Sequence, residues 1–172
     1  MKKKIQKMPL GSSETICVTP KNFDFWLAGY IDGNGYFGIT QKKYGNCEIT
    51  SHLEDIQLLY LIKKYYFGSV KKKKGVNAAR YRLHKKDLLF NLFVNLNGKL
   101  RVRKRLNQFS INLDLLGIHY EAKNNFLLNT NAWLSGFFEA DGSFHVNSKT
   151  LQCSIQLSQK NRECLDEVKY SF

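Results

Sequence analysis

The sequence predicts an α+β fold made of one αββαββα unit and a partial second copy of that unit. Residues 27–35 (Leu-Ala-Gly-Tyr-Ile-Asp-Gly-Asn-Gly) return in similar form as residues 134–142 (Leu-Ser-Gly-Phe-Phe-Glu-Ala-Asp-Gly), and a tryptophan precedes each copy. After each copy, the apolar residues change from helical spacing to the alternation of a β-hairpin. The 172 residues, 43% hydrophobic and 24% charged, have the composition of a folded globular chain. We therefore expect an internal repeat of helix-and-hairpin units.

The first copy contains every element of a complete unit. A helix carries the first motif, and two alternating segments then predict a hairpin that turns at Tyr44 and Gly45. A second helix, a second hairpin and two closing helices follow. The predicted helices cover residues 23–35, 54–67, 87–96 and 101–116, and the predicted strands cover residues 36–43, 46–51, 69–74 and 78–84.

The second copy begins in the same way but has fewer elements. A helix over residues 133–139, strands over 143–149 and 151–158 and a helix over 161–172 are predicted, and nothing corresponds to residues 68–116 of the first copy. The shortened unit leaves an apolar helix face and a sheet edge without cover, which predicts an additional protein or RNA partner there. The predicted divisions are an irregular basic arm (1–21), the first unit (22–117), a polar linker (118–130) and the truncated second unit (131–172).

The charge of the chain favours a polyanionic partner. Its 27 Lys and Arg residues against 14 Asp and Glu residues give a net charge of +13, which fits DNA, RNA or an anionic membrane surface. No apolar run approaches the roughly 18 residues of a transmembrane helix. The four cysteines lack zinc-site spacing, and Cys47 and Cys153 fall in alternating apolar segments, so we expect reduced thiols in the core.

The spacing of small residues in the two motifs predicts that their helices pack against each other. Gly29 and Gly33 are four residues apart, as are Gly136 and Ala140, so each helix has a face on which backbones can approach closely. Such a pair would bring Asn34 next to Asp141 at the helix C-termini. Carboxylates at such ends oppose the helix dipoles, and Mg²⁺ could resolve that conflict while binding phosphate oxygens.

The two stretches resemble the paired signature motifs of the LAGLIDADG homing endonuclease family, which includes intron-encoded RNA maturases. The resemblance covers roughly residues 23–172 and implies a homing-endonuclease-like unit with an antiparallel saddle sheet. It also implies that the eighth motif position supplies a metal-binding carboxylate from each half. The second half keeps that carboxylate as Asp141, whereas the first half has Asn34, whose amide brings no charge, so metal affinity and water activation should fall.

The resemblance implies three further positions at the catalytic centre. A polar residue after the second strand orders active-site water in the family, and Gln159 matches it in the second half, with Ser51 as its counterpart in the first. Lys99 or Arg101 is the nearest match to the family's basic residue. The acidic residues at the sixth motif position, Asp32 and Glu139, are assigned to the helix ends rather than to the metal site.

In the family, the saddle lies in the DNA major groove and alternate side chains read the bases. Lys71 and Lys73 are expected to contact phosphates, and Arg103, Lys104 and Arg105 to grip the backbone outside the saddle. The outward-facing residues predicted here are Tyr36, Thr40, Lys42, Asn46, Glu48, Arg80, Arg82, His145, Asn147, Lys149, Gln152, Ser154 and Gln156.

Two functions remain open at this point. One is a nucleic-acid-binding protein descended from a Mg²⁺-dependent DNA endonuclease. Double-strand cleavage is not expected of it, because two scissile phosphates require two competent metal sites, whereas nicking of a single strand around Asp141 stays open. The alternative is a non-catalytic RNA-binding protein, either an intron maturase or a component of an organellar ribosome or other ribonucleoprotein. The resemblance and a sequence rich in Lys, Asn, Phe and Tyr with 2 prolines indicate a mitochondrial origin.

Overall fold

The computed structural model describes residues 20–40, 43–123, 128–160 and 162–171, and the predicted α+β order is confirmed there. Residues 1–19 of the predicted arm (1–21) lie outside the described residues, and so does Lys42. No helix among these residues is long and apolar enough to cross a bilayer. The elements are α1 Pro20–Asn34, β1 Gly35–Thr40, β2 Tyr44–His52, α2 Ile56–Tyr66, β3 Ser69–Lys72, β4 Ala78–Leu83, α3 Lys86–Leu96, α4 Arg103–Leu116, α5 Trp133–Asp141, β5 Gly142–Val146, β6 Cys153–Leu157 and α6 Arg162–Ser171.

The first unit is a four-stranded antiparallel sheet with helices on one face. The strand order is β1-β2-β4-β3, so the two hairpins join through β2 and β4. Phe37 of β1 is buried where α3 and α4 cross the sheet, with its ring centroid 5.2 Å from that of Phe93 and 5.3 Å from that of Phe109. Cys47 and Tyr81 face the same core, as their alternation predicted. The opposite sheet face carries exposed side chains such as Tyr36 and Arg82.

The turn of the first hairpin was predicted two residues too late. Thr40 pairs with Tyr44 and Ile39 pairs with Gly45, so both predicted turn residues lie in β2 and the turn falls before them. The glycine serves a different purpose, because a Cβ at Gly45 would lie 2.4 Å from Oδ1 of Asn112 in α4. Gly45 therefore allows close approach of a helix to the strand.

The second unit has a two-stranded sheet without the helices that cover the first. Phe144 pairs with Ile155, and Phe144 corresponds in the repeat to Phe37. Phe37 is 2% exposed and Phe144 is 74% exposed, because no counterpart of α3 and α4 lies over the second hairpin in the described residues. For the same reason the prediction that Cys153 is a core thiol is wrong: it is exposed, whereas Cys47 and Cys164 are buried.

The two motif helices, α1 and α5, pack directly against each other through their small residues, as predicted. A Cβ at Gly29 would lie 2.0 Å from the carbonyl oxygen of Trp133, and a Cβ at Gly136 would lie 1.9 Å from that of Trp26. Near the C-terminal ends, a Cβ at Gly33 would lie 2.5 Å from the Cβ of Ala140. The helix pair joins the two halves into one structure.

The segment between the halves is anchored to the first unit. The Asn97 side chain donates to the carbonyl of His119 at 2.7 Å and accepts from the backbone N–H of Glu121 at 3.0 Å. Leu128, in a short 3₁₀ turn, is buried in the core. These contacts lead the chain to the start of α5.

Candidate functional site

Reciprocal hydrogen bonds between tryptophans and carboxylates fix the two motif helices. Trp26 Nε1 of α1 donates to Glu139 Oε2 of α5 at 3.0 Å, and Trp133 Nε1 of α5 donates to Asp32 Oδ2 of α1 at 2.9 Å. The four residues occupy matching repeat positions, so the pair has approximate two-fold symmetry. The acidic residues at the sixth motif position therefore join the helices, in agreement with their assignment away from the metal site.

Asp32 also connects α1 to the segment that leads into α4. Its carboxylate accepts the backbone N–H groups of Arg101 at 2.8 Å and Val102 at 3.2 Å. Burial raises the pKa of Asp32 from 3.8 to about 7, and these donors, the Trp133 indole and the charge of Arg105 oppose that rise. The two oxygens of this carboxylate accept three N–H groups, so its role is to hold α1, α5 and the segment before α4 together.

A cavity of about 630 Å³ opens where α1 and α5 end. It brings together Asp141 and Gln159, both predicted at the catalytic centre, and Lys104 and Arg105, which were predicted to lie outside the saddle. The complete lining is Asp32, Gly33, Val102, Lys104, Arg105, Asp141, Ser158, Gln159 and Lys160. Ser158 and Lys160 were not predicted to line the cavity. Their positions next to Gln159 in the sequence could have indicated it.

Asp141 and Gln159 form a direct contact in this cavity. Gln159 Nε2 donates to Asp141 Oδ2 at 2.7 Å, and both residues line the cavity. Burial raises the pKa of Asp141, while the charge of Arg105 and the Gln159 hydrogen bond lower it. The second motif therefore presents one oriented carboxylate.

The corresponding residues of the first motif lie apart from the cavity lining. The Asn34 amide and the Ser51 hydroxyl lie beside the hydroxyl of buried Tyr30, whose pKa is raised by burial and lowered by both neighbours. Neither the Tyr30 nor the Ser51 hydroxyl has a hydrogen bond of normal geometry among the described residues. The structure thus brings Asn34 and Ser51 together beside a tyrosine.

The structure does not support Lys99 or Arg101 as the basic residue of the cavity. Lys99 Nζ donates to the carbonyl of Asn95 and lies 5.4 Å from the ring centroid of Phe25. Arg101 is buried, donates through Nη1 to Glu167 Oε2 at 3.0 Å, and stacks over Trp133 at 5.8 Å. Both side chains are held by other partners, so this prediction is corrected.

Arg105 supplies the positive charge at the end of α1. Its Nε donates to the carbonyl of Ile31 at 3.1 Å and its Nη2 donates to that of Gly33 at 3.0 Å. These carbonyls carry the negative end of the helix dipole, which a cation stabilises. Burial lowers the pKa of Arg105, and the negative charges of Asp32 and Asp141 raise it. Sequence alone could not locate Arg105, because it faces α1 only through the tertiary fold.

The described residues do not fit the two-carboxylate metal site that the family resemblance implies. No three His, Cys, Asp or Glu side chains come together in this part of the chain as a group that could hold a metal ion. Asp32 is committed to N–H donors, Asn34 lies beside Tyr30, and a guanidinium already sits on the terminal carbonyls of α1. Asp141 is the one carboxylate of the lining that remains for a cation.

The outer face of the first sheet is polar and basic, as predicted, but several of its side chains contact one another. Glu48 lies 3.2 Å from Arg80 and 2.8 Å from Arg82 in ion pairs. Asn46 lies on this outer face as predicted but is buried there, because its Oδ1 accepts the backbone N–H of Gly38 at 3.2 Å and its Nδ2 donates to Thr40 Oγ1 at 3.4 Å. Tyr36 and Thr40 are exposed beside them. A smaller cleft of about 260 Å³ is lined by Ser69, Lys71, Lys72, Lys73, Lys74, Arg80 and Arg82.

The second hairpin carries only part of its predicted binding residues on strands. His145, Ser154 and Gln156 lie on one exposed face, as the pairing of His145 with Ser154 shows. The predicted strands were too long, so Asn147, Lys149 and Gln152 lie in the connection instead. There Asn147 Oδ1 accepts the backbone N–H of Lys149 at 3.0 Å, which closes a turn. On α4, Arg103 pairs with Glu163 at 3.3 Å.

Comparisons with known proteins identify families and individual proteins that are similar to this chain. The family described as LAGLIDADG endonuclease matches residues 27–112, half of the chain, and the family described as LAGLIDADG-like domain matches residues 129–171. The intron-encoded RNA maturase bI4 of Saccharomyces cerevisiae is 46% identical over 86% of this chain and 23% of its own length. The probable intron-encoded endonuclease aI2 of Debaryomyces hansenii is 43% identical over 75% of this chain and 20% of its own length. The chain thus spans about a quarter or less of these two relatives.

A solved structure shows the same fold. The meganuclease I-SmaMI bound to uncleaveable DNA superposes with a TM-score of 0.59 at 19% identity, over 87% of this chain and 71% of that one. I-SmaMI has also been solved bound to its uncleaved DNA target in the presence of calcium ions.

Proposed function

Because the chain belongs to the LAGLIDADG endonuclease family, we propose that it binds DNA or structured RNA and does not cut both strands of a duplex. The observation that carries the proposal is that two clefts are each lined by several cations. Lys71, Lys73 and Arg82 lie along the first sheet, while Lys104 and Lys160 lie at the cavity between the helix ends. Such an arrangement neutralises backbone phosphates, and each phosphate bound steepens the salt dependence of binding by roughly 0.9 log units.

The asymmetry of the motifs argues against double-strand cleavage. Asp141 and Gln159 form one oriented pair, but Asn34 brings no charge and lies beside Tyr30. Any remaining activity would be cleavage of one strand near Asp141, and Mg²⁺ is the cation we propose for it.

A non-catalytic RNA-binding role is the second candidate. It uses the same cations and the same polar sheet face and requires no metal site. The replacement of a motif carboxylate by Asn34 would therefore not affect it. Its support is the 46% identity to a protein named an RNA maturase. A mitochondrial location is proposed from the intron-encoded relatives and from the Lys-, Asn-, Phe- and Tyr-rich composition.

A partner is proposed for the open face of the second hairpin. Phe144, Val146 and Ile155 are exposed together, and a further cavity of about 790 Å³ runs beneath them between α5 and α6. The equivalent face of the first unit is covered by two helices, so we expect an apolar protein surface, or RNA reached through the cations nearby, to cover this one.

One experiment separates the two candidates. Nucleic acid crosslinked to the purified protein is sequenced, and Mg²⁺-dependent nicking is measured for the wild type, Asn34→Asp and Asp141→Ala. Asn91→Asp is the control, since Asn91 is exposed on α3 away from the cavity. Nicking by the wild type that Asp141→Ala abolishes supports a residual nuclease. Crosslinked structured RNA without cleavage by any variant supports the RNA-binding role, and no crosslinked nucleic acid contradicts both.

A further inference from the structure

The geometry points to Arg105 as a built-in cation that binds a backbone phosphate directly, in the place where the family resemblance implies a divalent metal. The inference rests on the proposed function, because it concerns how the same cavity would hold a nucleic acid. It differs in its ligand chemistry: the cavity takes a phosphodiester anion through a guanidinium, and that contact needs no metal.

The position of the guanidinium is fixed before any ligand arrives. Two of its five N–H groups donate to the carbonyls of Ile31 and Gly33, at 3.1 and 3.0 Å, and these bonds hold its plane against the end of α1. Arg105 also lines the cavity, so its remaining donors are those available to an anion there. A planar guanidinium with free N–H groups matches the geometry of a phosphate better than an ammonium does.

The charges around the cavity favour an anion. Lys104 and Lys160 line it together with Arg105, and both lysines are exposed. The opposing carboxylates are fewer, since Asp32 is turned to the Trp133 indole and two backbone N–H groups, which leaves Asp141. A divalent cation placed here would be repelled by three positive side chains and attracted by one accessible carboxylate. A phosphate would be attracted by the three positive side chains and repelled by the one carboxylate.

Substitution of Asp141 tests the inference, because the direction of its effect on nucleic-acid affinity depends on what binds the phosphate. If a metal bridged this residue to the phosphate, removing its charge would weaken nucleic-acid binding. If Arg105 binds the phosphate directly, Asp141 repels the phosphate across the cavity, and removing its charge strengthens binding. The two arrangements therefore predict opposite effects of the same substitution.

The experiment measures binding of a short fluorescent DNA duplex and of a fluorescent RNA hairpin by anisotropy, over a series of salt concentrations, in EDTA and in Mg²⁺. Arg105→Gln is expected to weaken binding roughly tenfold and to reduce the salt slope by about 0.9, equally in both buffers. Asp141→Asn is expected to tighten binding about fivefold in Mg²⁺ as well as in EDTA, whereas a metal that bridged Asp141 to the phosphate would make the same substitution weaken binding in Mg²⁺. Arg162→Gln is the matched control, because Arg162 is an exposed arginine of α6 paired with Asp166.

Thermal melts show which variants are folded, since Arg105→Gln also removes a helix cap. Should Arg105→Gln fail to fold, Asp141→Asn and Arg105→Lys decide the question, with Arg105→Lys expected to keep the salt slope while losing affinity. Weaker binding by Asp141→Asn, loss of wild-type binding in EDTA, or an unchanged slope for Arg105→Gln overturns the inference while leaving nucleic-acid binding itself intact. Absence of wild-type binding in every buffer overturns the proposed function as well.

Discussion

Single residues at the two acidic motif positions differ in what they do. The sixth position is acidic in both copies, as Asp32 and Glu139, and each carboxylate accepts the indole N–H of the opposite helix. The eighth position is acidic only as Asp141. The acid that holds the helices together is thus present in both copies of the motif, whereas the acid that could take part in catalysis is present in only one.

Asp32 should make the stability of the fold depend on pH. Its pKa rises from 3.8 to about 7 on folding because the carboxyl is buried, so between these values the folded state holds a proton that the unfolded state has released. The contribution is fully present below about pH 4 and is lost as the pH rises through about 7. We expect urea unfolding to show a smaller loss of stability over this range in Asp32→Asn than in the wild type.

Asp87→Asn is the control for that measurement, since Asp87 is exposed on α3. A difference between Asp32→Asn and the wild type that does not change with pH, or that grows in the opposite direction, would contradict the assignment of the effect to Asp32.

The sequence located part of the site at this scale. Asn34, Asp141 and Gln159 follow from motif position, and the contact between Asp141 and Gln159 is present. Arg105 could not be found in this way, because nothing in its neighbourhood along the chain distinguishes it from Arg101 or Arg103. Its contact with α1 depends on how the segment before α4 is tied to Asp32.

Among the elements, the pair formed by α1 and α5 determines how the halves meet. Where a glycine faces backbone, as Gly29 faces the carbonyl of Trp133, nothing can move aside for a side chain. Where Gly33 faces the methyl group of Ala140, the two positions can exchange their volume. The small-residue spacing predicted this pair correctly, whereas Gly45 was mistaken for a turn because a glycine needed for close packing looks the same in sequence.

This difference predicts a rescue. Gly33→Ala should destabilise the protein by about 1–3 kcal/mol through overpacking. Adding Ala140→Gly should recover most of that loss, less the roughly 0.5–1 kcal/mol that a glycine costs within a helix. Gly29→Ala should cost as much or more and should not be rescued by Ala140→Gly. Chemical unfolding of the single and double variants checks this cycle, and equal effects of Ala140→Gly in both backgrounds would refute it.

At the scale of the whole molecule, the two copies of the repeat pack differently within the part of the chain that the structure describes. The first sheet has a helical layer on one face and a polar surface on the other, while the second hairpin is open on both. The sequence anticipated this, since it lacks a counterpart of residues 68–116 after the second hairpin. It did not reveal that Cys153 would be exposed, because alternation identifies an apolar face without showing what covers it.

Phe37 and Phe144 are a matched pair that tests the asymmetry. Phe37→Ala should destabilise the protein by about 3–5 kcal/mol, because a buried ring is replaced by a cavity. Phe144→Ala should change stability by about 0.5 kcal/mol or less and should reduce the binding of a hydrophobic dye. Urea unfolding and dye fluorescence provide the measurements. A large loss of stability in Phe144→Ala would show that the second hairpin is covered in solution.

The long separation between the paired motif helices has a consequence during synthesis of the chain. Trp26 and Glu139 are 113 residues apart, so a ribosome that adds about 5–20 residues per second needs roughly 6–23 s to supply the partner of α1. Throughout that interval the first unit can complete its sheet, but the glycine face of α1 has no helix against it. The nascent chain therefore passes through a stage in which this face is open to chaperones or to the wrong helix.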